Sequence, residues 1–178
     1  MSTKPHTRPA TPTHLVVMGV SGCGKSTIGM LLADRTGALF IDADDLHPEA
    51  NVEKMRAGTP LDDEDRAPWL AEVRDTMSAI ADAGGSSVIA CSALRQTYRE
   101  VLAHAVGRVR FVHLDVPAEV LAGRVEARAD HFMPASLVTS QLATLETLGD
   151  DEDGVVVPMT GDPDAVTTAA LAALAGQR

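Results

Sequence analysis

Cysteine is scarce: Cys23 and Cys91 are the only two in 178 residues. Two thiols cannot build a disulfide framework, and these two lack the paired spacing of a zinc site. Each sits in an apolar or glycine-rich strand end, where a small buried thiol is the expectation. No apolar run reaches the 18 residues that a membrane-spanning helix needs. The opening MSTKPHTRPATPT is polar, holds three prolines and has no apolar h-region. It reads as a floppy leader, not a signal peptide, so the cytoplasm is the expected location. Basic residues are also short: 15 Lys and Arg face 25 Asp and Glu, a formal charge of −10. A chain this acidic has no broad surface for displacing counterions from nucleic acid or anionic lipid, and neither partner is expected. A small anionic substrate would need a local cluster of arginine to overcome the global repulsion.

What is present is ordinary globular material, 45% hydrophobic and 22% charged. The length suits one domain with a core of its own. Short apolar runs alternate with helical stretches. His14 to Met18 reads as a strand buried on both faces, followed by a helix from about Lys25 that stops at Gly37. Ala38 to Ile41 reads as a second buried strand. Trp69, Leu70, Val73, Met77 and Ile80 follow helical spacing up to Gly84-Gly85. Ser87 to Cys91, Val109 to Leu114 and Val155 to Val157 give three more strands, and Asp162-Pro163 opens a closing helix. Strands separated by helices of this length imply βαβ crossovers and a parallel sheet covered on both faces. The expectation is a leader over 1–13 and a single α/β domain over 14–178.

Gly19-Val20-Ser21-Gly22-Cys23-Gly24-Lys25-Ser26 matches G-x-x-x-x-G-K-[ST] at every fixed position, between a predicted strand and a predicted helix. Glycines let successive N–H groups turn onto phosphate oxygens, and the helix presents its positive N-terminus to them. Lys25 would reach the β- and γ-phosphates, and the Ser26 hydroxyl would ligate Mg²⁺. A dinucleotide fingerprint fails, because position 27 is Thr27 and Lys25-Ser26 would go unexplained. Residues Gly19 through Thr27 are therefore the ATP-binding candidates. No Asn-Lys-x-Asp segment reads a guanine, and the third strand ends Cys91-Ser92-Ala93 rather than Asp-Glu. A compact kinase for a small acceptor is what remains.

The second strand runs into Asp42-Ala43-Asp44-Asp45. Alternation along a strand puts Asp42 and Asp44 on one side, at the sheet edge where ligands bind. One carboxylate would serve Mg²⁺ through water, and the other would accept or orient the attacking hydroxyl. His47 has two readings, a donor to a polyol hydroxyl or a support for the turn before Pro48. The acidic run Asp62 to Asp65 precedes the Trp69 helix and suits its dipole. Within that run Arg66 either pairs locally or grips a substrate carboxylate. Trp69 reads as core in preference to a sugar platform. Ser92 reads as the N-cap of the next helix, with Arg95 and Arg99 sharing one face and Arg95 nearer the ligand edge. Further on, Arg124 and Arg128 are also four apart. They suit either a helix C-terminus or a kinase in which one stacks on adenine and the other neutralises the transferring phosphoryl group. Ala129 to Pro134 then reads as a short cover that would exclude water.

These residues together resemble the bacterial-type gluconokinases, small P-loop kinases related in fold to shikimate and adenylate kinases. The segments that carry the resemblance are MGVSGCGKST, DADDLHP with Asn51 and Lys54-Met55, GTPLDDEDRAPWL, CSALRQTYRE, and R-x-x-x-R-x-x-HFM followed by SQLATLE. The resemblance implies ATP:D-gluconate 6-phosphotransfer with ATP and Mg²⁺. It also implies a three-layer αβα sandwich around a five-stranded parallel sheet of order 2-3-1-4-5 with a short lid, and a homodimer. By analogy it gives the acceptor to Asp44, the metal to Asp42, adenine stacking to Arg124 and the lid arginine to Arg128. Lys25, Asp44 and Arg128 are thus the catalytic candidates, and His47, Arg66 and Arg95 join Asp44 on the substrate side. A kinase for another small hydroxy acid and a non-catalytic nucleotide sensor are the competing readings.

Overall fold

The structure, a computed structural model, describes residues 10–126 and 135–177. Five strands form one parallel sheet: β1 (Thr13–Met18), β2 (Leu39–Asp42), β3 (Ser87–Ala90), β4 (Arg108–Asp115) and β5 (Gly154–Pro158). Their order is β2-β3-β1-β4-β5. β1 pairs with β3 through Leu15↔Val88 and with β4 through Leu15↔Arg110, so it is the central strand. That position explains its unbroken apolar sequence, since both faces must be covered. Leu15 and Val17 enter one core with Val88, Val112 and Leu114. Val16 and Met18 enter the other with Ile89, Cys91 and Phe111.

Helices α1 (Lys25–Thr36) and α7 (Pro163–Gly176) cover the first face; α3 (Asp63–Asp82) and α4 (Gln96–Ala103) cover the second. Three further helices are α2 (Glu49–Arg56), α5 (Ala118–Glu126) and α6 (Ala135–Thr144). Gly37 ends α1 in the left-handed conformation, and Asp162 caps α7 by accepting the Ala165 N–H at 2.9 Å, both as the sequence implies. Cys23 and Cys91 are buried free thiols, and burial pushes the Cys91 thiol up to about 12.

Three expectations need correction. β2 is not a buried strand: it pairs only with β3, and Leu39 is 59% exposed at the sheet edge. α3 begins at Asp63 and not near Trp69, so the acidic run lies mostly inside its first turn. There Asp62 and Asp65 form a reciprocal capping box that satisfies two otherwise orphaned amides. Finally, α4 starts at Gln96 with Arg95 as its N-cap residue, so Ser92 is a loop residue and not a cap. Because Arg95 has extended backbone, it does not share a helix face with Arg99.

Arg99 instead turns into the protein and is 1% exposed. It forms a two-pronged ion pair with Glu152, 2.5 and 2.9 Å long, and donates to the carbonyls of Ala93, Leu94, Glu146 and Thr147. A buried guanidinium is tolerated only when its fork is satisfied in this way. The result ties the loop after β3 to the segment after α6.

Candidate active site

The phosphate loop leaves β1 at Met18 and enters α1 at Lys25, bending through Gly22 and Gly24 at φ of 82° and 100°. Those angles exclude most side chains, which accounts for both glycines. Gly24 caps α1 without any side-chain bond, and no acidic residue occupies the first turn. The exposed amides and the helix dipole therefore face the loop opening, an anion site in waiting. Lys25 Nζ rests on the Val20 carbonyl at 3.1 Å, and the Ser26 hydroxyl donates to Asp42 Oδ2 at 2.8 Å. Val20 and Cys23 face inward, buried at 3% and 0% exposure, so these two can serve a nucleotide only through backbone.

Asp42 and Asp44 do come together, though not by strand alternation. β2 ends at Asp42, and Ala43–Leu46 is a 3₁₀ turn in which Asp42 Oδ1 accepts the Asp44 N–H at 3.1 Å. The turn folds both carboxylates toward the loop, where they bound one cavity with Lys25 and Ser26. Asp44 and Lys25 also bound a second, adjoining cavity with His47, Arg66, Trp69 and Ser92.

That second cavity is built on Trp69. The indole is 1% exposed, as a core residue should be, yet its Nε1 donates to the Ala43 carbonyl at 2.7 Å and its ring stacks on His47 at 4.0 Å. One residue thus holds the turn that carries Asp44 and the imidazole beside it. Asn51 Nδ2 lies 3.4 Å from His47 Nδ1 and also donates to the Asp65 carbonyl at 2.8 Å. An amide nitrogen only donates, so Nδ1 is the acceptor and Nε2 carries the proton, 3.8 Å from Asp44 Oδ1. Burial, with help from Arg66, pushes His47 down to about 4. Lys54 pairs with Asp65 at 2.8 Å, which braces the base of α3.

His14 and His113 are also held below their ordinary value by burial. The fold therefore disfavours protonation of three imidazoles that the unfolded chain would protonate below about pH 6.5. In that window the unfolded state binds more protons, so stability falls as pH falls. The melting midpoint is expected to hold steady above pH 7 and drop by about 3–8 °C between pH 7 and pH 5. Calorimetry or circular dichroism across that range checks it; a flat midpoint would mean that these rings take up protons inside the fold.

The arginines sort themselves clearly. Arg66 lines the second cavity, donates to the Tyr98 hydroxyl at 3.2 Å and lies over its ring. Tyr98 in turn donates to Asp63. Arg95 pairs with that same Asp63 at 3.2 Å, also lies over the Tyr98 ring, and does not line the cavity. Arg99 is buried on Glu152. Arg124 is half-buried near the end of α5. Arg128 and the expected cover over 129–134 lie outside the described residues.

Two contacts escaped the sequence reading. Ser92, taken as a cap, accepts the Gly19 N–H on its carbonyl at 3.3 Å and lines the second cavity. Ala93, next to it, has φ of 43°, the only non-glycine residue at positive φ among the described residues. Gln141 of α6 accepts the Ser21 N–H at 2.6 Å. The signal available for Gln141 was its place in SQLATLE, whose Leu142 and Leu145 continue from Val138 the spacing of a helical apolar face.

Comparison with known proteins gives the family and the fold. The family model described as shikimate kinase matches residues 21–155. Gluconokinase from Gluconobacter oxydans is 52% identical over 155 residues, which cover 87% of each chain. Among solved structures, a sugar kinase from Janibacter sp. HTCC2649 superposes with a TM-score of 0.87 at 52% identity, covering 90% of this chain and 93% of that one. A gluconokinase from Sinorhizobium meliloti 1021 gives 0.82 at 42% identity, with 93% of each chain covered. The sheet order, the phosphate loop and the extent of these matches agree, and the chain belongs to the gluconokinases, within the shikimate kinase family of P-loop kinases.

Proposed function

We propose that this kinase transfers the γ-phosphoryl group of ATP to the 6-hydroxyl of D-gluconate by direct in-line displacement. The observation that carries the proposal is that Lys25 and Asp44 bound both cavities, so the phosphate end of one meets the acceptor end of the other. The phosphate side takes ATP on the amides of Gly19 to Thr27. Among the described residues, the acceptor side offers Arg66 for the sugar-acid carboxylate, beside the Lys25 it shares with the phosphate side, and His47 Nε2–H and Asp44 for its hydroxyls. With Arg95 turned onto Asp63, Arg66 is the carboxylate reader of the two candidates.

Asp44 orients the attacking hydroxyl and accepts its proton as the new P–O bond forms. Lys25 leaves the Val20 carbonyl and follows the charge that builds on the phosphoryl oxygens and the departing ADP oxygen. Arg124 stacks on adenine and Arg128 adds a second cation, both on the strength of the resemblance. The Ser26 hydroxyl and Asp42 carboxylate form a pair of hard oxygen donors beside the loop, which suits Mg²⁺. Among the described residues no group of three or more acidic, histidine or cysteine side chains is placed to hold a metal ion, so phosphate oxygens and water would complete that shell. The metal would supply charge withdrawal from the phosphate chain.

The reading extends to residues 14–178 as one kinase domain and to a homodimer, on the same resemblance. Two buried free thiols suit a reducing compartment such as the cytoplasm. Among the described residues no helix is long and apolar enough to cross a membrane.

A coupled ADP-release assay over gluconate, shikimate and other sugar acids tests the proposal, with phosphorus NMR locating the new ester. Gluconate-dependent turnover with phosphate on carbon 6 is expected. Preference for another acid would move the substrate assignment, and ATP binding without transfer to any acid would leave only a nucleotide sensor.

A further inference from the structure

We infer that Gln141 is a positioning residue for the nucleotide, a side chain on α6 that sets the shape of the phosphate loop from outside it. Ser21 N–H can only donate, so the carboxamide must turn its oxygen to it, and at 2.6 Å the bond is short for a neutral pair. Ser21 is the third residue of the loop, on the limb that enters it, whereas the Lys25 and Ser26 amides lie on the helical limb. A backbone N–H on the entering limb needs a partner wherever water is displaced. Gln141 supplies one from outside the loop.

The support beneath Gln141 is rigid. Val138 is buried in the core shared with Val20 and Cys23, and Leu142 and Leu145 pack against that core. Just beyond α6, Glu146 N–H donates to the Leu94 carbonyl at 2.7 Å, and Glu146 Oε2 accepts the Gln96 N–H at 2.7 Å. Arg99 then grips the Glu146 and Thr147 carbonyls from below. The same frame holds Ser92, whose carbonyl accepts the Gly19 N–H. The entering limb is therefore suspended at two amides, Gly19 and Ser21, from one block of structure. Gln141 also lines the cavity that contains Lys25 and Asp44, so its carboxamide borders the place where the terminal phosphate meets the acceptor.

This inference rests on the nucleotide-binding half of the proposed function and not on the identity of the acid. The experiment therefore reads nucleotide binding directly, by calorimetry with ADP and with a non-hydrolysable ATP analogue. Gln141→Leu keeps the volume and removes the acceptor; it is expected to weaken both nucleotides about 5–10-fold, the worth of one neutral hydrogen bond. Gln141→Glu keeps an oxygen for Ser21 but brings negative charge to the cavity. It is expected to bind ADP within about twofold of the parent while remaining at least about fivefold weaker for the ATP analogue, whose extra phosphate meets that charge. Both variants should melt within a few degrees of the parent, and KM for the acid should move less than KM for ATP.

Parent-like affinity in the Leu variant overturns the inference. So does equal loss of both nucleotides in the Glu variant, or a lowered melting midpoint that accounts for weakened binding. A parent chain that binds neither nucleotide removes the proposed function together with it.

Discussion

Lys25→Ala is expected to lower kcat by about 10²–10³-fold, the scale on which enzymes lose rate when one preorganised charge stabiliser is deleted. The geometry makes the loss specific. Lys25 starts α1 at the mouth of the loop, reaches only Val20 O within its own segment, and borders both cavities. No other described lysine or arginine lines the phosphate-side cavity, so no described cation there duplicates its charge. Since the amides of the loop remain, ATP binding should suffer much less than turnover. Steady-state kinetics paired with equilibrium nucleotide binding checks this, and near-normal turnover would sink the phosphate assignment.

Asp44→Asn is expected to reduce phosphoryl transfer by about 10²–10⁴-fold with ATP affinity nearly unchanged. The amide is isosteric but cannot take up the proton of the attacking hydroxyl. The turn itself should survive, because its bonds run through other atoms: the Asp44 N–H to Asp42 and the Ala43 carbonyl to Trp69. A stable Asp44→Asn protein that still turns over gluconate at the parent rate would take the acceptor role away from this residue. Comparable loss of ATP binding would place Asp44 on the nucleotide instead.

The nucleotide half of the site was legible because it is local. One strand, nine consecutive residues and one helix carry it, and the required φ values demand glycine where glycine stands. The acceptor half was legible only in composition. Asp42 and Asp44 were correctly paired for the wrong reason, since a 3₁₀ turn and not strand alternation joins them. Arg95 and Arg99 looked like helical neighbours, but the helix begins one residue after Arg95. Nothing in the local pattern announces that Arg99 will meet Glu152, 53 residues away. The same holds for Gln141 and Ser21, 120 residues apart. Trp69 shows how two readings can both hold part of the truth: it is core by burial, and its one polar atom positions the turn that carries a candidate catalytic carboxylate.

The central place of β1 also bears on how the chain is made. Of the five strands β1 leaves the ribosome before the others, and its hydrogen-bonding neighbours are synthesised long afterwards, Val88 opposite Leu15 on one side and Arg110 on the other. Until residues near Asp115 emerge, the strand that launches the phosphate loop has no completed sheet to enter, and its apolar stretch waits in a nascent chain. Nucleotide-binding capacity is then expected to appear during translation only after the fourth strand is available beside the first, rather than when the nine residues of the loop themselves are made.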